Sequence, residues 1–445
     1  MRTSAFYGEM EVMENDVYDV IGVGIGPFNL GLAALLEPVT EIKSLFIEQK
    51  TKFEWHPGLL ITGSSIQVPF LADLVTMAEP CSQFSFLSYL KAKSRLYQFY
   101  FWEEFHIPRR EYNHYCQWVA EHLSSCCFGQ RVEGISWQEE SQLFEVEIKD
   151  VKHNTSLIYH CKNLVLGVGS APQIPACFQD IKSDNLFHSA EFLHRREIPR
   201  KSKSITVIGS GQSAAEIFYE LLQEQENYQY EINWCTRSSG FLPMEYSKLG
   251  LEHFSPDYIH YFYSLSPQKR DDLIQKQNLL YKGISFSTIS KIYDLLYERS
   301  VADNYPNIKL ISGVEVKDVE TTNNRYLLTY RHSHQDEPFN HETDCIILAT
   351  GYHQAIPDCI ANIRDLIQWD EKGRYKVNFD YHLGLTKDIP NRIFVQNAEL
   401  HTHGVGAPDL GLGCYRNSVI INTLTGKTVY PVKRQNVFQQ FGIAA

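Results

Sequence analysis

Two short glycine turns, each preceded by an apolar strand and followed by a helical pattern, constrain this 445-residue chain more than anything else in it. The first is DVIGVGIGPFNLGLAALLE: an apolar strand from Val17 to Val23, glycines at Gly22, Gly24 and Gly26, then the helical run FNLGLAALLE. Leading glycines let a backbone turn tightly and approach a pyrophosphate, whose charge rests on the N-terminus of the following helix. Pro27 stands where a third glycine is usual. Proline suits a helix's first turn because its missing N–H has no partner there, so the turn keeps its phosphate function and fixes the helix entry. The next strand, SLFIEQK, carries Glu48, suitably placed to accept hydrogen bonds from a ribose.

The second unit, SITVIGSGQSAAEIFYELLQE, sets Gly209, Gly211 and Ala214 after another apolar strand, with Gln212 and Ser213 opening the helix. Its next strand, YEINWCTRSSG, ends in Thr236, Arg237, Ser238 and Ser239 rather than in an acid. An acid there would repel a 2′-phosphate, whereas Arg with hydroxyls attracts one, so the second nucleotide reads as NADPH rather than NADH. Two complete turns imply two nucleotides, and the natural pair is a flavin and the nicotinamide that reduces it.

NLVLGVGSAPQIP (163–175) and DCIILATGYHQAIP (344–357) look alike: apolar strand, small-residue turn, then proline. They suit the two crossings between a flavin domain and a nicotinamide domain inserted within it, with Thr350, Gly351 and Tyr352 of the second crossing expected against the cofactors. Between 240 and 300 the pattern turns polar, aromatic and helix-compatible. The expected fold is therefore α/β: two Rossmann-like dinucleotide-binding domains, the second inserted in the first, plus a small, mainly helical substrate subdomain. The expected boundaries are 1–195 for the first part of the FAD-binding domain, 196–340 for the NADPH-binding domain with the helical subdomain near 243–300, and 341–445 for the return segment.

Composition narrows the function. At 43% hydrophobic and 21% charged this is a soluble globular composition, too long for one core. A net charge of -12 without any Lys/Arg block argues against nucleic acid. No apolar run reaches the roughly 18 residues of a membrane span, and MRTSAFYGEMEVMENDVYDV lacks the basic start and apolar core of a signal peptide. Ten cysteines show no C-x-x-C pair and no zinc spacing. They read as reduced thiols of a cytoplasmic protein and count against a disulfide reductase.

At this point the residues resemble a family, the flavin-dependent N-hydroxylating monooxygenases that act on lysine and ornithine in siderophore biosynthesis. The resemblance runs from about 17 to 425 and rests on GVGIGPFNLGLAALL, FEWHPGLLITGSSIQVPFLADLV, FSFLSYLKAKSRLYQF, ITVIGSGQSAAE, ILATGYHQAIP and LHTHGVGAPDLGLGCYRNS. It implies FAD and NADPH as cofactors, dioxygen and a small primary amine as substrates, and a homo-oligomer, dimer or tetramer. It also implies the chemistry: NADPH reduces FAD, dioxygen adds at the flavin C4a carbon, and the amine nitrogen takes the distal oxygen of the resulting hydroperoxide. The amine must arrive neutral, and desolvation lowers its pKa without a dedicated strong base. By the same resemblance Gly22, Gly24, Gly26 and Pro27 meet the FAD pyrophosphate and Glu48 its ribose. Trp55 and His56 lie along the flavin, Gln67 sits near its reactive edge as the expected catalytic residue, and Gly209, Gly211, Gln212, Ser213 and Arg237 hold NADPH. His188 is read as a hinge or supporting residue; His401 and His403 either approach the flavin or pack as hydrogen-bonded core.

One departure bears on the substrate. Amino-acid hydroxylases of this family usually read F-L-K-D-L, the lysine pairing with the substrate carboxylate; this chain reads FLADLV, with Ala72 in its place. A carboxylate left buried and unpaired costs several kcal/mol. Two further positions, Leu251 and Leu280, align with polar family positions and are apolar here, and with Ala72 and Leu410 they complete the expected substrate contacts. The site reads as built for an amine without a carboxylate, putrescine or cadaverine first and a histamine-like amine next, with Glu245 or Asp409 open as the group that grips the far ammonium. The alternatives are a lysine N6- or ornithine N5-monooxygenase with a displaced carboxylate contact, a sulfur- or carbon-oxidising relative, and a non-catalytic flavoprotein redox sensor.

Overall fold

The computed structural model describes residues 17–303, 305–322 and 325–443. The signal-peptide reading falls mostly on residues 1–16, outside the described residues. The first glycine unit forms as its pattern predicts: strand Val17–Val23, helix Pro27–Leu36 with Pro27 in its first turn, and strand Ser44–Glu48. These strands join a seven-stranded sheet whose order runs Cys126–Phe128, Ser44–Glu48, Val17–Val23, Ser156–Leu166, Leu143–Asp150 and Gln130–Gln138, with Ile393–Val395 also on Ser156–Leu166. Side chains alternate across it. Val20, Phe46, Val165 and Phe394 join one core with the helix Pro27–Leu36, while Ile21, Leu45, Leu164 and Val395 join another beneath residues 358–366. A sheet covered on both faces explains the unbroken apolar strands.

The second unit builds a five-stranded, all-parallel sheet in the order Ile308–Ile311, Glu231–Cys235, Ser204–Ile208, Cys345–Leu348, Leu186–His188. In sequence, all of these strands fall between the first sheet's strands ending at Leu166 and beginning at Ile393. The sheet reaches past the expected 196–340 span at both ends, because Ile346 pairs with Thr206 on one side and with Leu186 on the other. Three antiparallel strands, Val314–Thr322, Arg325–His332 and Pro338–Thr343, form a separate small sheet.

The look-alike stretches 163–175 and 344–357 meet. Ser170–Pro172 pairs antiparallel with Tyr352–Gln354, and the Gln173 amide donates to the Gly351 carbonyl at 2.9 Å. The two crossings thus form one ribbon between the sheets. Helices Lys248–Leu251, Pro256–Ser264, Pro267–Lys276 and Asn278–Tyr281 make a compact unit around Tyr258, Phe262, Leu280 and Val405. The next helix, Phe286–Arg299, belongs elsewhere: Ile289, Ile292 and Leu296 pack into the second sheet's core. Among the described residues no helix is long and apolar enough to cross a membrane, and the ten cysteines are unpaired, six of them buried.

Candidate active site

The strand ends of both sheets face a cleft of about 1750 Å³. Pockets for one small ligand occupy roughly 300–1,000 Å³, so this space suits two dinucleotides. Of the residues expected from sequence, Gly24, Gly26, Pro27, Glu48, Trp55, His56, Gln67, Gly209, Gly211, Gln212, Ser213, Arg237, Thr350, Gly351, Tyr352 and Leu410 all line it.

Gly24 holds φ +84°, and a Cβ there would stand 2.7 Å from the Gly167 carbonyl oxygen. The turn is closed by the Gly24 amide donating to Ile47 O at 2.8 Å and by Asn29, whose amide donates to Gly24 O at 2.8 Å. Nothing lies within 4 Å of a Cβ built on Gly26, which leaves the helix N-terminus open. Glu48 accepts from the Ile25 amide at 2.9 Å and the Lys50 amide at 3.0 Å. Each carboxylate oxygen keeps a lone pair for a ribose hydroxyl. Gly22 corrects the expectation. It is a buried strand residue whose added Cβ would fall 2.2 Å from the Phe46 ring, so it is a glycine for strand packing and not for phosphate contact.

At the second turn, Gly209 adopts φ +147°, and a Cβ would come 2.1 Å from Ala349 O, where the return crossing passes. Arg237 is exposed at the cleft wall, and Lys282 shares the wall with it. Burial pulls the Lys282 ammonium below its usual value, and the Arg237 charge adds to the shift. Among the described residues neither cation has a carboxylate partner, so together they offer a 2′-phosphate two unneutralised charges. Lys282 lies 45 residues beyond Arg237, and no local motif marked it.

Trp55, His56 and Tyr352 form an aromatic wall: Trp55 and His56 rings lie 5.1 Å apart, His56 and Tyr352 5.6 Å. Burial, then the Arg109 and Lys50 charges, push the His56 imidazole down to about 4, so it is neutral at working pH. His188 Nε2 donates to the Gly351 carbonyl, 3.0 Å away, its Nδ1 accepts from the Ala190 amide, and its ring meets Tyr352 edge-on at 5.1 Å, beside the ribbon. His401 and His403 do not line the cleft. His401 Nε2 bonds Tyr375 O at 2.8 Å, and His403 Nε2 bonds Phe379 O at 3.1 Å while its ring stacks on Tyr381. Burial pushes His403 down to about 3; both are core histidines.

The FLADLV segment is a loop knotted by Asp73, which accepts from the amides of Val75, Thr76 and Phe86. It holds Ala72 buried, its Cβ 3.6 Å from the point where a side chain on Gly411 would begin; the same point lies 3.0 Å from an Asp409 carboxylate oxygen. Asp409 accepts from the Leu412 amide at 3.0 Å. Its surface is only partly covered, yet protein surrounds it closely enough that burial pushes its carboxyl up to about 6. No cation offsets that burial; only the Leu412 and Gly411 amides do. Of the expected substrate contacts only Leu410 lines the cleft: Ala72 is buried in its loop beside Asp409, Leu251 is 36% exposed on a surface helix and Leu280 packs inside the helical unit. The family resemblance aligned Leu251 and Leu280, but burial against Tyr258 and Phe262 decided where Leu280 packs. Glu245 is exposed, accepts from the Ser247 amide and does not line the cleft.

Residues 16–354 match the family model of L-lysine 6-monooxygenase/L-ornithine 5-monooxygenase. The chain is 44% identical over 430 residues to a putrescine N-hydroxylase of Shewanella oneidensis, covering 96% of this chain and 85% of that one. Its fold matches the FAD-bound crystal structure of DfoA, the desferrioxamine-pathway cadaverine monooxygenase of Erwinia amylovora, with a TM-score of 0.93 at 44% identity, covering 97% of this chain and all of that one. It also matches the Kutzneria sp. 744 ornithine N-hydroxylase KtzI, solved with FADred, NADP+ and L-orn, with a TM-score of 0.86 at 26% identity over 92% and 99% of the two chains. The chain therefore belongs to the L-lysine 6-monooxygenase/L-ornithine 5-monooxygenase family.

Proposed function

We propose that this protein is an FAD- and NADPH-dependent monooxygenase that N-hydroxylates one amino group of an aliphatic diamine, putrescine or cadaverine, for hydroxamate siderophore assembly. The observation that carries the reading is that Asp409, whose carboxyl is pushed up to about 6, and Ala72, which stands where the resemblance puts a carboxylate-binding lysine, meet at Gly411 next to the cleft residues Pro408 and Leu410; the reading seats the far end of the amine in a recess there. A diamine brings a second ammonium that pairs with Asp409; an amino acid brings a carboxylate that meets Asp409 as a like charge.

The cleft residues fit both cofactors. The open helix N-terminus at Gly26 and Pro27 would take the FAD pyrophosphate and Glu48 its ribose; Gly209, Gly211, Gln212 and Ser213 would take the NADPH pyrophosphate, with Arg237 and Lys282 on the 2′-phosphate. Bound there, FAD reduced by NADPH would activate dioxygen, one oxygen atom going to the amine nitrogen and the other leaving as water. The protein's own residues do the rest. Asp409 orients the diamine by its far end, so that the reacting nitrogen points away toward the cleft and apolar surroundings near Leu410. There desolvation lowers its pKa and frees its lone pair. Neutral His56 adds no charge that would oppose this. Gln67 on the cleft wall gives the reacting nitrogen a hydrogen-bonding partner.

The reading extends to a homo-oligomer, dimer or tetramer, in the cytoplasm. It is supported by the exposed aromatic run Tyr97, Tyr100, Phe101 and Phe105 and by the unpaired cysteines; light scattering of the purified protein tests the assembly. For the reaction, the test is an amine panel read for hydroxylamine product with and without FAD. Hydroxylamine from putrescine or cadaverine, dependent on FAD and NADPH, is expected; none from any amine would overturn the reading.

A further inference from the structure

Four polar side chains meet beside the cleft where three segments converge, and the cofactor contacts above use only part of what they do. Arg109, the first residue of the helix Arg109–Glu121, makes a two-pronged ion pair with Glu216: Nη1 donates to Oε2 and Nη2 to Oε1, each at 2.9 Å, and Nη1 also reaches Leu59 O at 2.8 Å. Both side chains are largely buried, 11% and 6% exposed. Glu216 sits one helical turn after Gln212, on the same face of the nucleotide helix. Its Oε1 also accepts from Gln212 Nε2 at 2.9 Å.

Gln212 is saturated. Its amide nitrogen donates to Glu216 and, at 3.0 Å, to Thr288 Oγ1; its oxygen accepts from the Ser285 amide at 2.8 Å and from Gln67 Nε2 at 3.5 Å. An amide side chain has two donors and two acceptor positions, so none is left over. The orientation is forced, since a flipped Gln212 would turn its oxygen toward the Glu216 carboxylate and its NH2 toward the Ser285 amide. Gln67 inherits the choice. Its nitrogen faces the Gln212 oxygen and, at 3.9 Å, Met244 Sδ, which leaves Gln67 Oε1 as the unengaged atom of a side chain lining the cleft.

We propose that Arg109 and Glu216 are positioning residues: their ion pair fixes the orientation of Gln212 and, through it, presents Gln67 to the cleft as a hydrogen-bond acceptor while tying the start of the helix Phe286–Arg299 to the nucleotide turn. The proposal rests on the monooxygenase reading and deepens it. An acceptor suits an attacking amine, whose N–H it can bind while the lone pair points elsewhere. Buried ion pairs add little net stability over apolar packing, so a buried pair joining the two sheet domains points to geometry rather than to stability. Breaking it should loosen Gln212 and Gln67 together, and misplacement on the order of 1 Å is enough to cost about a hundredfold in a reaction that depends on orientation.

The test uses the FAD-loaded full chain as wild type, Glu216→Ala and Glu216→Gln. Ala removes all three bonds to the carboxylate, whereas Gln keeps the oxygen that Gln212 donates to. The expected result for Glu216→Ala is a fall of at least about fivefold in hydroxylamine formed per NADPH oxidised, a raised KM for NADPH, and faster hydrogen exchange at the Ser285 amide. Glu216→Gln should recover part of each. Should Glu216→Ala fail to fold, the Gln variant carries the test, with the same changes in smaller measure. The proposal is overturned if the variants lose only thermal stability while coupling, NADPH KM and Ser285 exchange stay at wild-type values. Wild type yielding no hydroxylamine from a diamine would instead refute the monooxygenase reading, and the Ser285 exchange would still report on the tie.

Discussion

Replacing Asp409 with Asn separates stability from function at one atom pair. The folded carboxyl titrates at about 6 against 3.8 for an exposed aspartate, so the folded protein binds this proton more tightly than the unfolded chain. Ionisation therefore weakens the fold as pH rises from 3.8 through 6, and above that window the full displacement acts, about 3 kcal/mol by the conversion between pKa and free energy. Asparagine keeps an acceptor for the Leu412 amide, now 3.0 Å from the carboxylate, and never ionises. Asp409→Asn should raise the thermal midpoint at pH 8 by a few degrees and change it little at pH 4. The same substitution removes the partner of the distal ammonium, a charge-assisted contact worth about 2–5 kcal/mol, so the diamine KM should rise roughly 30-fold or more. Differential scanning fluorimetry at the two pH values and steady-state kinetics with cadaverine read the two effects. A residue that lowers stability and serves the substrate is expected at an active site. The reasoning is refuted if the variant is less stable at pH 8, or if its KM for the diamine is unchanged.

Other outcomes follow from the same geometry. In the wild type, protonation of Asp409 should raise the diamine KM as pH falls through about 6, with a one-proton slope that Asp409→Asn abolishes; a profile flat from pH 8 to 5 contradicts it. Ala72→Lys would pair with Asp409 across the recess, so it should not improve diamine turnover and should reduce it by about tenfold or more, measured as hydroxylamine per minute. Arg237→Glu and Lys282→Glu should each raise the KM for NADPH by about tenfold or more and leave that for NADH nearly unchanged, which coenzyme kinetics would read. Gly24→Ala forces a side chain onto φ +84° and to 2.7 Å from Gly167 O, and should yield protein without flavin absorbance; full FAD occupancy would contradict the assignment of that turn.

What the sequence made legible was mostly local. The strands and helices of both nucleotide units follow from apolar runs and glycine spacing, and Arg237 declared itself by standing where an acid would otherwise be. The crossings were visible as a repeated pattern, but their pairing as one ribbon is a contact 180 residues apart, between Pro172 and Tyr352. Domain edges shifted because strands 186–188 and 345–348 are short, and only the pairing of 345–348 with Ser204–Ile208, and of 186–188 with 345–348, assigns them to a sheet. Gly22 looked like its neighbours in the motif; the Phe46 ring, contributed by another strand, gives it a different task. Leu251 and Leu280 were placed by the family resemblance alone, and in short helices such an alignment says little about which face meets the site. Lys282, Asn29 and the Arg109–Glu216 pair carry no local signature, since each acts only through partners brought together by the fold.

The central claim is that the recess accepts an ammonium and refuses a carboxylate, and cadaverine and lysine differ by that one carboxylate. Equimolar cadaverine and lysine, offered together to the FAD-loaded enzyme with NADPH and analysed by mass spectrometry for both hydroxylated products, give the ratio of their kcat/KM values in a single measurement. The account predicts cadaverine over lysine by about a hundredfold or more, the consequence of several kcal/mol for an unpaired buried carboxylate. Equal amounts of the two products, or more hydroxylysine, would contradict it.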